Sequence, residues 1–280
     1  MIWTGSGATP SGTNSTPERP GGLVGLLRAS HHLARSVGYT LLAPECLVCE
    51  TPLTEAADGP VCSSCWSRLQ LGQTPQCAVC GAPVAPTPPS ERPARCGRCL
   101  DARTPIARLH ACGAYDGVLR SLIHELKYGR HVSLAPRLGA LARTTGYEVL
   151  NGADGLVPVP LHPVRRLFRG FNQASLIAQH LDMPVILALR RTRWTASQTR
   201  LSAAGRQRNM RQAFRVRWRV RRHGATGVRG RILVLVDDVR TTGATLEACA
   251  SALLEAGAAE VRALVVARAE PLPRRVPAPR

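Results

Sequence analysis

RILVLVDDVRTTGAT, residues 231–245, is the stretch whose reading decides the fold. Five aliphatic residues, 232–236, run without alternation into the paired acids Asp237 and Asp238, and then into a hydroxyl-rich loop that contains Gly243. An unbroken β-branched and leucine run of this length fits a parallel strand buried on both faces. The loop at 239–245 opens a helix, TLEACASALLEAG, which stops at Gly257, where a left-handed cap costs little. A second apolar run at 261–267, with Arg262 inside it, completes a strand, helix, strand unit. Ligands of open α/β sheets sit beyond the carboxyl ends of the strands, which is where these acids and threonines fall. Backbone amides around Gly243 and the hydroxyls of Thr241, Thr242 and Thr245 face that position at a helix N-terminus, a setting that suits phosphate.

The acids need a separate reason, because carboxylates beside a phosphate cradle repel the phosphate. A ligand that also carries vicinal hydroxyls, or a Mg²⁺ ion, supplies one, and a ribose 5-phosphate has that shape. The stretch resembles the phosphoribosyl pyrophosphate (PRPP) signature of type I phosphoribosyltransferases: an apolar strand, two acids, then a threonine and glycine loop. The resemblance implies that Asp237 and Asp238 hold the ribose 2′ and 3′ hydroxyls, and that Thr241, Thr242, Gly243, Ala244 and Thr245 hold the 5′-phosphate. An ordinary strand-to-helix turn whose acids cap the helix is the competing reading. Purine-salvage members of that superfamily usually place an acid where Thr241 stands, so Thr241 argues against 6-oxopurine salvage.

With 280 residues and 44% hydrophobic content, the chain has room for one sizeable domain and a small one. No run approaches the roughly eighteen apolar residues of a membrane span. The N-terminus lacks the pattern of a secretory signal, so the expected location is the cytoplasm. The formal charge of +19, from 37 basic and 18 acidic residues, points to a polyanionic partner, although an arginine-biased genome would supply part of the excess. Distribution says more than the total: residues 190–222 hold twelve arginines and no acid.

Eight of the ten cysteines form four CxxC pairs: Cys46 with Cys49, Cys62 with Cys65, Cys77 with Cys80, and Cys96 with Cys99. In a reducing compartment this pattern reads as metal binding rather than disulfides. The spacing lets two thiolates of one knuckle reach the same ion at tetrahedral angles, and two knuckles complete Zn(Cys)₄. Successive pairs give two structural zinc ribbons in tandem; interleaved pairing and redox-active pairs are the alternatives. So short a stretch with few aromatics draws much of its stability from zinc. Cys112 and Cys249 lie in apolar patterns and read as small buried hydrophobes.

Residues 1–21, rich in Ser, Thr, Gly and Pro, are expected to form a disordered tail. A leading helix at 22–42, the double ribbon at 43–102, an α/β domain at 103–268 and a second disordered tail at 269–280 follow. His31 and His32 stand too far ahead of the cysteines for a usual ligand spacing. The α/β domain opens with a strand at 106–115 and a helix in GVLRSLIHELKYGR, with Val118, Leu122, Ile123 and Leu126 on one face. Lys127 is the only lysine of the chain. Among so many arginines, a compact ammonium reads as set against a phosphate or pyrophosphate. LVPVP at 156–160 is another buried strand. Arg165, Arg166 and Arg169 surround the glycine-containing turn after it, offering several donors to pyrophosphate oxygens, and FNQASLIAQHL reads as a helix.

At this point the pattern becomes specific. PVPLHPxRxxxRGFNQ at 158–173, with LKYG at 126–129 before it, the acid and threonine motif after it and the CxxC ribbons ahead, resembles the ComF family of competence proteins, which includes GntX-type members. The resemblance spans residues 40–268. In the arginine-rich segment Gln198, Leu201, Arg206, Asn209 and Phe214 stand where ComF members show the same residue types. Type I phosphoribosyltransferases have a flexible loop here that closes over PRPP and excludes water, which implies pyrophosphate contacts by Arg200, Arg206 and Arg208. Arginines interleaved with Trp194, Phe214 and Trp218 equally offer a nucleic-acid strip with phosphate contacts and stacking platforms. A solvated charged face is the third reading.

The expected fold is thus α/β, a type I phosphoribosyltransferase domain with a mainly parallel five-stranded sheet and helices on both faces, behind a small double zinc ribbon. The resemblance implies two structural zinc ions, PRPP as ligand or substrate, and Mg²⁺ bridging pyrophosphate and ribose hydroxyls. It implies Asp237, Asp238, Lys127 and Arg169 as the catalytic set, with Arg165, Arg200 and Arg206 also touching the ligand. If the domain is catalytic, C1 passes through an oxocarbenium-like state and catalysis is mostly positioning and electrostatics. For function the resemblance implies a DNA-uptake protein that binds PRPP and single-stranded DNA and works beside a competence helicase or translocase. The other reading is a cytoplasmic enzyme that moves phosphoribose to an unidentified acceptor without a DNA role. GntX-type members are linked instead to carbon-source use.

Overall fold

The computed structural model describes residues 44–53, 59–72, 75–86, 94–192, 213–217 and 227–269. The tail expected at 1–21, the helix at 22–42 and residues 270–280 of the second tail lie outside the described residues, as do Trp194, Arg200, Arg206, Arg208 and Trp218. From Glu45 on, the described residues form one compact unit. Its elements are α1 (Ser63–Ser67), β1 (Leu109–Ala114), α2 (Gly117–His124), α3 (Ala135–Thr145), α4 (Tyr147–Leu150), β2 (Gly155–Pro158), α5 (Pro163–Arg169), α6 (Gln173–Ala178), β3 (Leu189–Arg191), β4 (Phe214–Val216), β5 (Ile232–Arg240), α7 (Ala244–Glu255) and β6 (Glu260–Arg268).

β1, β6, β5 and β2 lie side by side in that order, every pair parallel. With a neighbour on each side and helices above and below, β5 buries both faces. Leu233 and Leu235 join the apolar cluster that contains α7, while Val234 and Val236 join the one that contains α2, α3 and α6. This is why its sequence does not alternate. The strand runs on past the aliphatic residues, pairing Asp237 with Val265 and Arg240 with Arg268, so the two acids belong to the strand and not to the loop. The fifth strand position is held by a single parallel bridge from Leu156 to Val185, with Leu156 N donating to Pro184 O at 2.8 Å and Ile186 N to Leu156 O at 2.7 Å. Pro184 has no amide to extend it.

α7 starts at Gly243, whose φ is 87°, and the chain leaves it through Gly257 at 96°, the left-handed stop read from the sequence. On α2, Val118, Leu122, Ile123 and then Leu126 are buried as the spacing requires. The helix does not simply end there: Glu125–Gly129 continues it as a π-helical turn. The turn expected around Arg165 and Arg166 is a short helix, α5, which has Pro163 at its start and the His162 ring as its cap, Nδ1 accepting from Val164 N at 3.2 Å.

The two ribbons share one local fold. In the first, Cys46 N donates to Thr51 O and Glu50 N to Cys46 O; in the second, Cys77 N donates to Ala82 O and Gly81 N to Cys77 O. The residue after each second cysteine takes a left-handed backbone, Glu50 at φ 59° and Gly81 at 69°. Only the second needs glycine for space, because a Cβ at Gly81 would lie 2.8 Å from Leu109 Cδ2.

That contact belongs to a seam along the free edge of β1. Leu109 N donates to Ala78 O at 2.8 Å and Gly72 N to Cys112 O at 2.6 Å. Between them the Gln76 amide spans Ala111, donating to its carbonyl at 2.9 Å and accepting from its N–H at 3.0 Å. The first ribbon sends Cys46, Leu53, Val61 and Cys65 into the α2-side cluster. Arg137 of α3 donates to Val61 O at 3.3 Å and lies over the Trp66 ring at 4.9 Å. The edge strand is therefore paired rather than exposed. A Cβ at Gly113 would sit 2.5 Å from Gln70 O and 2.9 Å from Leu119 Cδ2. Gly113→Ala is expected to cost roughly 1–3 kcal/mol through overpacking, read by urea denaturation; an unchanged midpoint would show that the seam yields.

Candidate functional site

The eight knuckle cysteines come together in two sets, Cys46, Cys49, Cys62 and Cys65, and Cys77, Cys80, Cys96 and Cys99, the sulfurs of each set lying within 4.8 Å of one another. Successive pairs share a site, which removes the interleaved alternative. Four sulfurs at about 2.3 Å from a tetrahedral zinc stand about 3.8 Å apart. Cys49 and Cys62 sulfurs lie 3.7 Å apart, and so do those of Cys80 and Cys96. Cys62 N donates to Cys46 Sγ and Cys65 N to Cys62 Sγ, each at 3.4 Å. These are two Cys₄ zinc-binding sites, and four protein ligands leave neither an open position.

The second site lies at the carboxyl end of β5. Strand alternation turns Asp237 toward α7 and Asp238 toward α2. On the α2 side Lys127 Nζ stands 2.7 Å from Asp238 Oδ2, with the two side chains 15% and 6% exposed. The lysine approaches off the hydrogen-bonding direction, so Asp238 Oδ2 is a buried oxygen with charge compensation and no directed hydrogen bond. Asp238 Oδ1 accepts from Val239 N at 2.7 Å, and Asp237 Oδ1 from Asp238 N at 2.9 Å. Burial, reinforced by the Asp238 charge, pushes the Asp237 carboxyl well above its ordinary value, against the pull of the Asp238 amide and Lys127.

Lys127 reaches this position from the π-helical turn, a local insertion common at functional sites. The turn packs tightly: a Cβ at Gly129 would collide with the Glu125 carboxylate, which is flanked by His124 at 3.7 Å and His131 at 3.6 Å. In this structure the lone lysine thus faces a carboxylate, not an open phosphate cradle. Replacing it by methionine strands the Asp238 charge; breaking a buried pair costs roughly 3–5 kcal/mol, and the remaining exposure of Lys127 sets the expectation at the lower end. Denaturant unfolding checks this, and a loss below about 1 kcal/mol would mean that the pair carries no stability.

Beyond the acids, Thr241 and Thr242 are exposed, Gly243 is buried, and Ala244 and Thr245 open α7. Thr242 Oγ1 accepts from Ala244 N at 3.4 Å. The Arg240 guanidinium covers Gly243, where a Cβ would meet Nη2 at 2.8 Å. The first amides of a helix have no partner within it, so the twelve-residue α7 presents donors at this loop.

α5 brings the arginines. Arg169 Nη1 donates to Gln173 Oε1 at 2.8 Å and its guanidinium lies 5.1 Å above the Tyr128 ring, beside Lys127 in the chain. Arg130, left-handed at φ 58°, donates through Nη2 to Phe168 O at 2.8 Å. Desolvation, then the charges of Arg191 and Arg165, hold the His162 imidazole below its ordinary value. Burial and Arg165 likewise lower Arg191. Positive charge therefore converges between α5 and β3. β3 and β4 pair antiparallel, and Thr192 N donates to Ala213 O at 2.8 Å, closing the neck of the segment that carries Arg200 and Arg206.

One sequence expectation fails here. Phe214 is not a stacking platform: it is 2% exposed, faces the α7-side core, and is covered by Arg191 at 5.4 Å. Alternation in β4 turns the phenyl inward and Arg215 outward. Cys112 and Cys249 are fully buried, as read, and burial pushes the Cys112 thiol up to about 12. The sequence reading missed Gln173, although its place one turn before Ile177 and two before Leu181 marks a polar residue inside an apolar stripe. Among the described residues no helix is long and apolar enough to cross a membrane.

Residues 38–100 match the family model of a double zinc ribbon domain, and residues 167–276 that of a phosphoribosyl transferase domain. The DNA utilization protein YhgH of Escherichia coli K12 is 38% identical over 236 residues, spanning 80% of this chain and 96% of that one. Competence protein F of Haemophilus influenzae is 29% identical with the same two coverages, and competence protein ComFC of Bacillus subtilis is 27% identical across 76% of this chain and 90% of that one. With both Cys₄ sites, the parallel sheet and near full-length likeness in place, the chain belongs to the ComF family, a double zinc ribbon joined to a phosphoribosyltransferase domain.

Proposed function

We propose that this protein binds PRPP with Mg²⁺ at the carboxyl end of β5, binds single-stranded DNA, and acts in DNA uptake. The observation that carries the ligand reading is Asp238 Oδ2, a buried oxygen 2.7 Å from Lys127 Nζ yet without a directed hydrogen bond, at the carboxyl end of β5. A vicinal diol is the complement of such an acceptor. Asp237 and Asp238 would accept from the ribose hydroxyls. Thr241, Thr242, Gly243, Ala244 and Thr245 would hold the 5′-phosphate, while Arg165 and Arg169 would meet the pyrophosphate. The donor set of carboxylates and pyrophosphate oxygens suits Mg²⁺, which supplies charge neutralisation when bound. Lys127 Nζ stands against Asp238 Oδ2, and Gln173 fixes the direction of Arg169. The sites fall within the expected α/β domain at 103–268, and the ribbons at 43–102 fasten its first strand.

The DNA role rests on the names of the relatives, "competence protein" and "DNA utilization protein", and on the net charge of +19. A helicase or translocase of the uptake machinery is the partner class that role calls for, and the reducing cytoplasm is the compartment that suits two Cys₄ sites. A second reading, transfer of phosphoribose to an acceptor, is favoured by the completeness of the acid, lysine and arginine set. Calorimetric titration with PRPP, with and without Mg²⁺, tests the pocket; absence of Mg²⁺-dependent binding would sink it. Anisotropy of a labelled oligonucleotide tests the DNA role. PRPP binding together with pyrophosphate release and no DNA binding would favour the enzyme.

A further inference from the structure

We propose that the rim formed by Tyr128, Leu167 and Phe168, set among Arg130, Arg165, Arg166 and Arg169, is the surface on which single-stranded DNA docks. Bases stack on the two rings and phosphates meet the arginines. This names the surface for the DNA role proposed above and rests on that reading.

Leu167 and Phe168, 83% and 74% exposed, are the two most exposed large apolar side chains among the described residues, and Tyr128 is 64% exposed. They are displayed rather than loose. α5 buries none of its residues, yet it is fastened: Arg130 donates to its backbone at Phe168 O, its Arg169 side chain holds the Gln173 side chain, and just beyond it Asn172 Nδ2 donates to Val159 O at 3.0 Å. A helix held by its backbone and neighbours, with its apolar side chains turned to solvent, has no packing reason to carry a leucine and a phenylalanine.

Charge selects the partner. The sequence has no acid between Asp154 and Asp182, and Arg130, Arg165 and Arg166 are exposed. Arg169 already stacks on the Tyr128 ring and the His124 ring tilts against it at 4.9 Å, so a base on the exposed part of that ring extends a stack of rings and guanidinium. Alternating flat rings and guanidinium groups match the alternation of bases and phosphates in an unpaired strand. An acidic peptide anchored by Leu167 is the rival occupant, but it has no use for two exposed rings. Phe214, a ring of the arginine-rich segment, is buried, and Tyr147, the other strongly exposed ring among the described residues, stands next to Glu148, which leaves this rim as the exposed pair of rings set among arginines.

The test is fluorescence anisotropy of a labelled oligothymidylate against the full zinc-loaded chain, titrated across salt, beside calorimetry with PRPP and Mg²⁺. Phe168→Ala and Tyr128→Ala should each weaken the oligonucleotide about tenfold while leaving the salt slope unchanged. Arg130→Gln and Arg166→Gln should each reduce the slope by about 0.7. Phe168→Ala should keep the wild-type melting temperature and PRPP affinity, since its side chain lies in solvent. The proposal fails if both ring variants stay within about twofold of wild type, if duplex of equal length binds as tightly, or if polyglutamate of equal charge displaces the strand from wild type and ring variants alike. A wild type that binds PRPP but no oligonucleotide overturns the surface and keeps the pocket. Ring-dependent DNA binding without PRPP binding does the reverse.

Discussion

Cys65→Ser is expected to halve the zinc content and lower the unfolding temperature of the entire chain, transferase sheet included. Two Cys₄ sites predict two ions in the wild type and one in the variant, read by elemental analysis. The thermal effect follows from where the ribbon sits. Cys46, Leu53, Val61 and Cys65 are buried in the same cluster as Leu122, Leu138 and Val234, so a ribbon that loses its ion withdraws part of that core. Structural zinc binding is worth roughly 10–16 kcal/mol in isolated fingers, while a whole domain is stable by only about 5–15 kcal/mol. Losing even 5 kcal/mol moves the midpoint of a chain this size by roughly 10–20 °C. Two separate calorimetric transitions, with the later one unmoved by the substitution, would show that ribbon and sheet unfold independently. Chelation of the wild type should reproduce the shift.

The second large effect is expected at the ligand. Asp237→Asn combined with Asp238→Asn should weaken PRPP binding at least about 100-fold, because hydrogen bonds to charged groups contribute about 1.5–3 kcal/mol each, with zinc content unchanged. Wild-type PRPP affinity in this variant would remove the acids from the ligand site. The single change Asp237→Asn carries a further signature. The folded state raises the Asp237 pKa, so the folded protein holds that proton more tightly than the unfolded chain. Its stabilising contribution is complete below the unfolded value and is lost as pH rises through the folded one. Asparagine is neutral throughout, so Asp237→Asn should be more stable than wild type at neutral pH, with the difference vanishing in acid. Chemical denaturation across pH reads this; a variant less stable at neutral pH contradicts it. A residue that costs stability at the position proposed for the ligand is what selection for function over fold would leave.

Much of this was legible in the chain because its strongest signals are local. The aliphatic run of β5 lies between two neighbours, so burial on both faces wrote itself as a run without alternation. The zinc sites needed only successive CxxC pairs. Gly243 and Gly257 marked the two ends of α7 because both take left-handed backbone. What escaped depends on contacts between distant segments. Gln76 looks like any loop glutamine until Ala111 lies beside it. The π-helical turn has no periodic signature over five residues, and the pairing of Lys127 with Asp238 spans the sheet. α3 was obscured by Pro136 and Gly139, although Leu134, Leu138 and Ala142 keep its spacing. Phe214 was misread because three strand residues are too few to show which face is inward.

The seam along β1 also bears on how the chain is made. β1 pairs with β6 on one side, and β6 is the last of the described strands to be synthesised. While the ribosome works through the intervening residues, the nascent strand has no permanent neighbour there, and an unpaired strand edge invites association with other chains. The ribbons are translated first and lie along its other side. A zinc-loaded ribbon thus acts as a splint for the newborn sheet, leaving one edge rather than two to guard until β6 is made. Metal supply during synthesis, more than in the finished protein, then sets the yield of folded molecules, and zinc restored after release should recover less of it than zinc present throughout.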